Sequence, residues 1–482
     1  MNYSVVIYIL GWIMEIEAAF LTLPGIVSAI YGEKGGFAFL WVALGSAVVG
    51  SIIILRKPKN MRFYLREGFV TVALSWILMS VIGCLPFVIN GDIPHFADAL
   101  FEMISGFTTT GATVVSDVEG LTKGSLFWRS FSHWIGGMGV LVFLLAIVPM
   151  AGGSHMNLMK AESPGPSVGK LVPKVRQTAK YLYIIYFTLT MIEVIFLLFG
   201  GMNLFEALTT SFGTAGTGGF AIWNDGFVSV SPYNQWVVTI FMLLFGVNFG
   251  FYFLILTGKL RDALKFEEVR IYFIIVIAAA VFIFINLRHF ALYAPAEGIR
   301  QAFFQVASII TTTGFASADF NLWPETSRTI LVLLMFIGAC AGSTGGGIKV
   351  SRFIIACKSF IKEIISYLHP RSVKKIKIEG KPLEHETLRA TNVYFMTYMV
   401  IFAVSVLLVS IENKDLVTNF AAVAATFNNI GPGLSLVGPM ANFGHFTDFT
   451  KYILMFDMLA GRLEIFPMML LFCPAVWKRR RA

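Results

Sequence analysis

"ALFEMISGFTTTGAT" (residues 99–113) and "AFFQVASIITTTGFA" (302–316) share one design: a short apolar run followed by Thr-Thr-Thr-Gly. Crossing a bilayer takes about 20 apolar residues in a helix. Each of these runs is well short of that, so each reads as a helix that enters the membrane and stops inside it. Two further stretches, "ALTTSFGTAGTGGFA" (207–221) and "NFAAVAATFNNIGPG" (419–433), align on the glycine that ends the run. The aligned position is Gly111, Gly219, Gly314 and Gly431. The second copy departs from the threonine run, and the fourth carries Asn428 and Asn429 in its place. Gly218 adjoins Gly219, which leaves the register of the second copy open by one residue. The tetrapeptide is thus one expression of a fourfold repeat.

The rest of the chain supplies the solvent for such helices. Of its 482 residues, 56% are hydrophobic and 13% charged, with a mean hydropathy of +0.75. A soluble domain is nearer a quarter charged. Apolar stretches long enough to span fall at 4–30, 35–55, 67–90, 127–150, 180–200, 235–257, 270–293, 328–367, 390–411 and 449–476, with the short runs at 95–107, 203–215, 298–310 and 416–427. After two leading helices the order is span, half-span, loop, span, four times over. The fold class that follows is an all-α polytopic membrane protein of four pseudo-repeated units around one central pore, plus two extra N-terminal helices. The divisions expected are 1–64 for the N-terminal pair, then 65–178, 179–265, 266–385 and 386–482 for the four repeats.

The net charge of +9 is not a nucleic-acid signal, because of where it lies. Basic residues crowd into Arg56–Arg66, Lys160–Lys180, Lys259–Arg270, Lys349–Arg389 and Lys478–Arg481. These windows alternate with apolar stretches, the pattern of cytoplasmic loops, and they put both termini in the cytoplasm. Part of that charge reads as contact with anionic membrane lipid. The opposite loops carry Asp92, Asp98, Glu102, Asp117, Asp225 and others, a face expected to attract cations. Four scattered cysteines read as buried free thiols rather than disulfides. Motifs of intramembrane proteases, serine hydrolases and nucleotide-binding loops are absent from the sequence, so neither an enzyme nor an organic cofactor is expected.

A cation that leaves water must be given replacement oxygens. Backbone carbonyls turned inward at glycine supply them without a trapping charge. A half-helix before the loop aims the negative end of its dipole at the same point. The expected ligand set is Thr109, Thr110 and Gly111; Thr217, Gly218 and Gly219; Thr312, Thr313 and Gly314; Asn429, Ile430 and Gly431. A second feature lies within the span 328–367, where "GSTGGG" (Gly342, Ser343, Thr344, Gly345, Gly346, Gly347) should break the helix into an intramembrane loop able to block a path. Arg462, deep in the last span, is read as a fixed positive charge beside that path, or else as half of an ion pair with Glu464 or Asp457. Arg129 and His133 read as polar residues at a helix end, and Glu15, Glu17 and Glu193 as structural, with proton coupling through them as the alternative.

The four loops "TTTGA", "GTGGF", "TTTGF" and "NNIGP", in this order and spacing, resemble the Trk/Ktr/HKT superfamily of potassium transporters. The two leading helices and "GACAGSTGGGIKVSR" (338–352) point to its bacterial Trk-type membrane subunit. The resemblance covers essentially the whole chain. It implies that potassium is the transported ion, since glycine at all four positions goes with potassium preference and serine in the first goes with sodium. It also implies that 342–347 is a gate, that the protein is a homodimer in the cytoplasmic (inner) membrane, and that it works with a cytosolic nucleotide-binding (NAD- or ATP-type) regulatory ring. The windows 170–177 and 369–383, the latter read as a hairpin turning at Gly380, are where that ring would dock. The competing expectation is an ion-coupled (proton or sodium) secondary transporter of another cation or a small solute, although that class favours inverted repeats.

Overall fold

The computed structural model describes residues 1–59, 64–137, 139, 175–370 and 375–478. Lys160, Lys170, Lys174, the segment 371–374 and the second half of the stretch 127–150 lie outside the described residues. Among the described residues, the regular structure is helical apart from one two-stranded hairpin.

Among the described residues, six unbroken helices are long and apolar enough to cross a membrane: Tyr3–Ile30, Gly36–Leu55, Leu65–Asn90, Lys180–Phe199, Glu267–His289 and His385–Glu412. Their outward faces stay apolar, with Trp41, Leu44, Ile274 and Met396 exposed where lipid would lie. The protein is a multi-pass membrane protein. The first two helices pack on each other through small residues; a Cβ on Gly50 would come within 3.0 Å of the Gly11 carbonyl oxygen. The four short helices form where the sequence places them, at Phe96–Phe107, Leu204–Gly216, Pro295–Ile310 and Leu416–Phe427.

The spans that follow them are less regular than the sequence implies. The stretch 235–257 is two helices, Pro232–Phe245 and Phe249–Leu256, bent by 88°. At the bend the Gly246 carbonyl accepts the Cys340 N–H at 3.1 Å, and Asn248 caps the new helix through the Gly250 N–H at 2.8 Å. The stretch 449–476 also breaks, between Asp448–Arg462 and Phe466–Leu471, because Glu464 and Ile465 take φ of 60° and 68°. The long stretch 328–367 opens as expected, between Glu325–Met335 and Val350–Leu368.

Two other expectations change. Cys357 is exposed and Cys473 half-buried, while Cys84 and Cys340 are buried; all four are free. Two of the outer acids are not open to solvent cations: Glu102 is fully buried against Arg129, and Asp98 pairs with Lys451 at 2.5 Å. The hairpin does form, Lys377–Ile378 against Lys381–Pro382, and it turns through Glu379 and Gly380, both at positive φ. It is moored by Lys358, which donates to the Lys377 carbonyl at 2.7 Å and pairs with Glu267 at 2.5 Å.

Candidate functional site: a ring of four glycine loops

Each short helix ends in the same way. Thr109, Thr217, Thr312 and Asn429 have φ of 54°, 54°, 58° and 55°, and two residues later Gly111, Gly219, Gly314 and Gly431 have φ of 78°, 80°, 84° and 95°. The first of each pair donates back three residues and its successor back five. Thr109 N–H bonds to Gly106 O at 3.1 Å and Thr110 N–H to Ser105 O at 2.9 Å. Gly218 N–H meets Gly213 O at 2.8 Å, Thr313 N–H meets Ser308 O at 2.8 Å, and Ile430 N–H meets Ala425 O at 2.8 Å. This is the Schellman closure, with a β-branched residue in three copies where glycine is the usual choice. Threonine held left-handed costs on the order of 1–3 kcal/mol, and such strain persists only where the surroundings impose it. The repeated dihedrals settle the open register: Gly219, not Gly218, is the equivalent of Gly111.

The loops then close on one another. A Cβ on Gly111 would land on the carbonyl oxygen of Gly218, one on Gly219 on that of Thr313, and one on Gly314 on that of Ile430. A Cβ on Gly431 would approach the Thr110 carbonyl oxygen at 2.7 Å, which completes the circle. Only a residue without a side chain fits at any of the four. All four glycines line a single pocket, which opens beside Thr113, Asn224 and Asn442.

The side chains divide by task. Thr108 Oγ1 donates to Ile104 O at 2.6 Å and accepts from Thr110 Oγ1 at 2.7 Å; Thr311 repeats this with Ala307 O at 2.6 Å and Thr313 at 2.8 Å. Asn428 does the same work with its amide, on Ala424 O at 2.9 Å. Thr109 Oγ1 and Asn429 Oδ1 are buried oxygens with no hydrogen-bond partner among the described residues. Orphaned acceptors of this kind fit a bound cation.

Directly beneath lies the glycine-rich segment. Gly346 N–H donates to Thr312 Oγ1 at 2.6 Å, and a Cβ on Gly345 would come within 2.9 Å of the Thr311 carbonyl oxygen. The Gly342 carbonyl accepts from Phe249 N–H at 3.0 Å, Ser343 Oγ donates to Cys340 O at 2.6 Å, and Gly347 takes φ 73°. The segment is therefore seated under the third and fourth loops and against the bend of the second unit. Arg462 reaches it from the last unit, donating to Thr344 O at 2.8 Å and to Gly136 O at 2.7 Å. The carboxylates weighed as its ion-pair partners are engaged elsewhere, Glu464 with Arg352 and Asp457 with Ser405 at 2.7 Å.

Several functional candidates escaped sequence reasoning. Glu268 Oε1 accepts from Ala341 N–H at 2.7 Å and Ser351 N–H at 3.0 Å, so one carboxylate staples both ends of the glycine segment. In sequence it is one of two adjacent acids at a helix start, and only the neighbouring apolar run hints that one is buried. Lys349 is buried with φ 82°, its Nζ on the Gly345 carbonyl. Arg129 and His133 are not helix-end residues; both are buried within Lys123–Gly137. Arg129 pairs with Glu102 at 2.8 Å, and Glu102 also accepts from Val114 N–H at 3.0 Å, which fixes the chain as it leaves the first loop.

Comparison with known proteins agrees with this architecture. Residues 37–479 match the TrkH family, described as a cation transport protein. The chain is 36% identical over 491 residues to the Trk system potassium uptake protein TrkH of Escherichia coli (strain K12), covering 99% of this chain and 100% of the relative. It is 31% identical over 485 residues to the protein TrkG of the same organism, which bears the same description, covering 99% of each chain. The crystal structure of the potassium transporter TrkH from Vibrio parahaemolyticus superposes with a TM-score of 0.88 at 33% identity, covering 99% of this chain and all of the other. These relatives are named as transporters, not enzymes, and the chain belongs to the TrkH family of cation transport proteins.

Proposed function

We propose that this chain takes up potassium across the cytoplasmic membrane, with the four glycine loops as its selectivity filter. The observation that carries this is the closed circle in which each glycine faces the backbone carbonyl of the next loop. Potassium sheds water and takes carbonyl oxygens in its place, with Thr109, Thr217, Thr312 and Asn429 contributing the inner layer. The segment from Gly342 to Gly347 is the gate, and Arg462 holds it across the path. The five divisions at 64, 178, 265 and 385 follow from this assignment. So does an orientation with both termini in the cytosol, supported by the basic loops, with Met1 and Lys478 on one side because the Met1 amine donates to Lys478 O at 3.2 Å. A homodimer, regulated by a cytosolic nucleotide-binding ring at the basic hairpin, completes the reading.

A second reading, in which transport is coupled to protons, is favoured by Glu17 and Glu193. Both are buried among membrane helices, and among the described residues neither carboxylate has a charged partner. One experiment addresses both readings. Purified protein in liposomes without organic solute should take up rubidium-86, potassium should compete and sodium should not. A flux that follows an imposed pH gradient would favour coupling; no rubidium uptake under any gradient would defeat the potassium reading.

A further inference from the structure

Three of the four ring loops brace themselves. Thr108 and Thr311 hook back to a carbonyl four residues earlier and touch the threonine two residues later, and Asn428 makes the same backward hook with its amide. The second loop has no such side chains, because Gly216 and Gly218 occupy these two places. Yet its backbone repeats the other three at both left-handed residues. Something else must hold it.

We propose that His133 is the positioning residue of the second loop, supplying from the neighbouring unit the brace that the other loops carry themselves. A Cβ on Gly218 would fall inside the His133 ring, and one on Gly216 would strike the His133 carbonyl. The imidazole therefore occupies the volume that the missing side chains leave. It also bonds at both nitrogens: Nε2 accepts the Phe220 N–H at 3.1 Å, and Nδ1 lies 2.8 Å from Gly106 O. An amide can only donate and a carbonyl can only accept, so Nε2 carries the lone pair and Nδ1 the proton. One neutral ring thus ties the residue after Gly219 to the last turn of the first short helix. The Phe220 ring lies against it with centroids 4.3 Å apart, and the Arg129 guanidinium lies 4.2 Å from the Phe220 centroid. The two loops joined in this way are successive members of the circle, with the Gly111 position against the Gly218 carbonyl. Their relative height, and so the spacing of the carbonyls they present, depends on this ring.

The inference rests on the ring acting as the selectivity filter, and the test separates the two. His133→Leu keeps an apolar bulk and removes both bonds. His133→Gln keeps a donor and an acceptor at similar separation. In liposomes the potassium-to-sodium permeability ratio of His133→Leu should fall by about tenfold, the scale of leaving a buried N–H and carbonyl unpaired, and His133→Gln should recover most of it. Nitrogen-15 spectra of the histidine-labelled parent should show a neutral ring protonated at Nδ1. A folded His133→Leu with the parental ratio would overturn the proposal, as would equal losses in both variants, which would assign His133 to packing. Should His133→Leu not fold, a parent spectrum of the Nε2–H tautomer would overturn it by itself. An unselective parent, by contrast, would sink the filter assignment while the spectrum still reports on the brace.

Discussion

The ring loops and the helix breaks beneath them obey the same fourfold repeat to different degrees. At the ring, sequences as unlike as TTTG and NNIG close with the same pair of hydrogen bonds and the same two left-handed residues. Beneath it the glycines are alike and the structures are not. Gly136, Gly345 and Gly461 each bring a lower segment against a carbonyl at the end of a short helix, those of Phe107, Thr311 and Phe427. Yet the second unit merely bends at Gly246, the fourth turns at Glu464 and Ile465, and the third inserts a whole non-helical segment between Met335 and Val350. The physical demands differ. In the proposed roles, a cation cage needs four equivalent sets of oxygens, whereas blocking a path needs only one obstruction, held by contacts that can be released.

The largest effects should come from breaking the ring itself. Adding a Cβ at a left-handed residue costs about 1–2 kcal/mol from backbone alone, and at Gly111, Gly219 and Gly314 the new atom also collides with a carbonyl oxygen. Gly111→Ser, Gly219→Ala and Gly314→Ala should each lower the potassium-to-sodium permeability ratio by more than about tenfold, since about 1.4 kcal/mol corresponds to that factor. Gly431→Ala should do less, because its nearest carbonyl oxygen lies at 2.7 Å. An unchanged ratio in Gly111→Ser would remove that residue from the filter. Four equal losses would mean that the ring is more regular than these contacts indicate.

An intermediate effect should follow from releasing the proposed obstruction. Arg462 uses two arms of its fork on two carbonyls, Thr344 and Gly136, and hydrogen bonds from a charged group are worth about 1.5–3 kcal/mol each. Arg462→Ala should raise basal rubidium flux several-fold with selectivity kept. Charge alone would let lysine substitute fully; the geometry instead makes Arg462→Lys intermediate, since one Nζ cannot match a fork that reaches opposite sides. Glu268→Ala should also raise flux, by freeing both ends of the segment at Ala341 and Ser351. Flux equal to or below the parent's in both alanine variants would mean that the segment is not the barrier.

The same contrast explains what the sequence could disclose. The ring was legible because its features are local: a short apolar run, a turn, and a glycine at a fixed distance, repeated. The half-span limits fell within a few residues of the helices seen, and the repeat placed Gly111, Gly314 and Gly431 without ambiguity. Gly219 needed the dihedrals. The breaks at Gly246 and Glu464 were not legible, because each lies inside a stretch that is on the whole long and apolar enough to span, and the cause is distant: Cys340 reaches Gly246, and Arg352 reaches Glu464. Glu268 and His133 were missed for the same reason. Their partners lie at a wide sequence separation, and nothing in the residues around them marks the contact.

The smallest effect sharpens the contrast from the outer side. Inner ends of the short helices close identically, but their outer ends are capped in different ways. Asn203 and Glu206 form a reciprocal capping box, Pro295 opens the third helix, and His95 makes no side-chain cap bond. Asp415 caps the fourth through Thr418 N–H at 3.0 Å and Thr418 Oγ1 at 2.5 Å. Those Thr418 bonds hold the Asp415 carboxyl below its ordinary range. A carboxyl with a lowered folded-state pKa binds fewer protons when folded than when unfolded, so its contribution is complete above the ordinary carboxylate range and is lost as pH falls through the lowered value. Asp415→Ala should cost about 1 kcal/mol of stability, the usual worth of a cap. Asp415→Asn, which keeps an acceptor, should melt close to the parent near neutrality and lack this part of the acid loss. Melting curves in detergent at neutral and acid pH read both. Neither variant should move the potassium-to-sodium ratio, because the Schellman closure at Asn429 and Ile430 fixes the ring end of that helix independently of its outer turn. A shifted ratio in Asp415→Ala would show instead that the short helix transmits strain along its whole length, and that the outer caps belong to the ring.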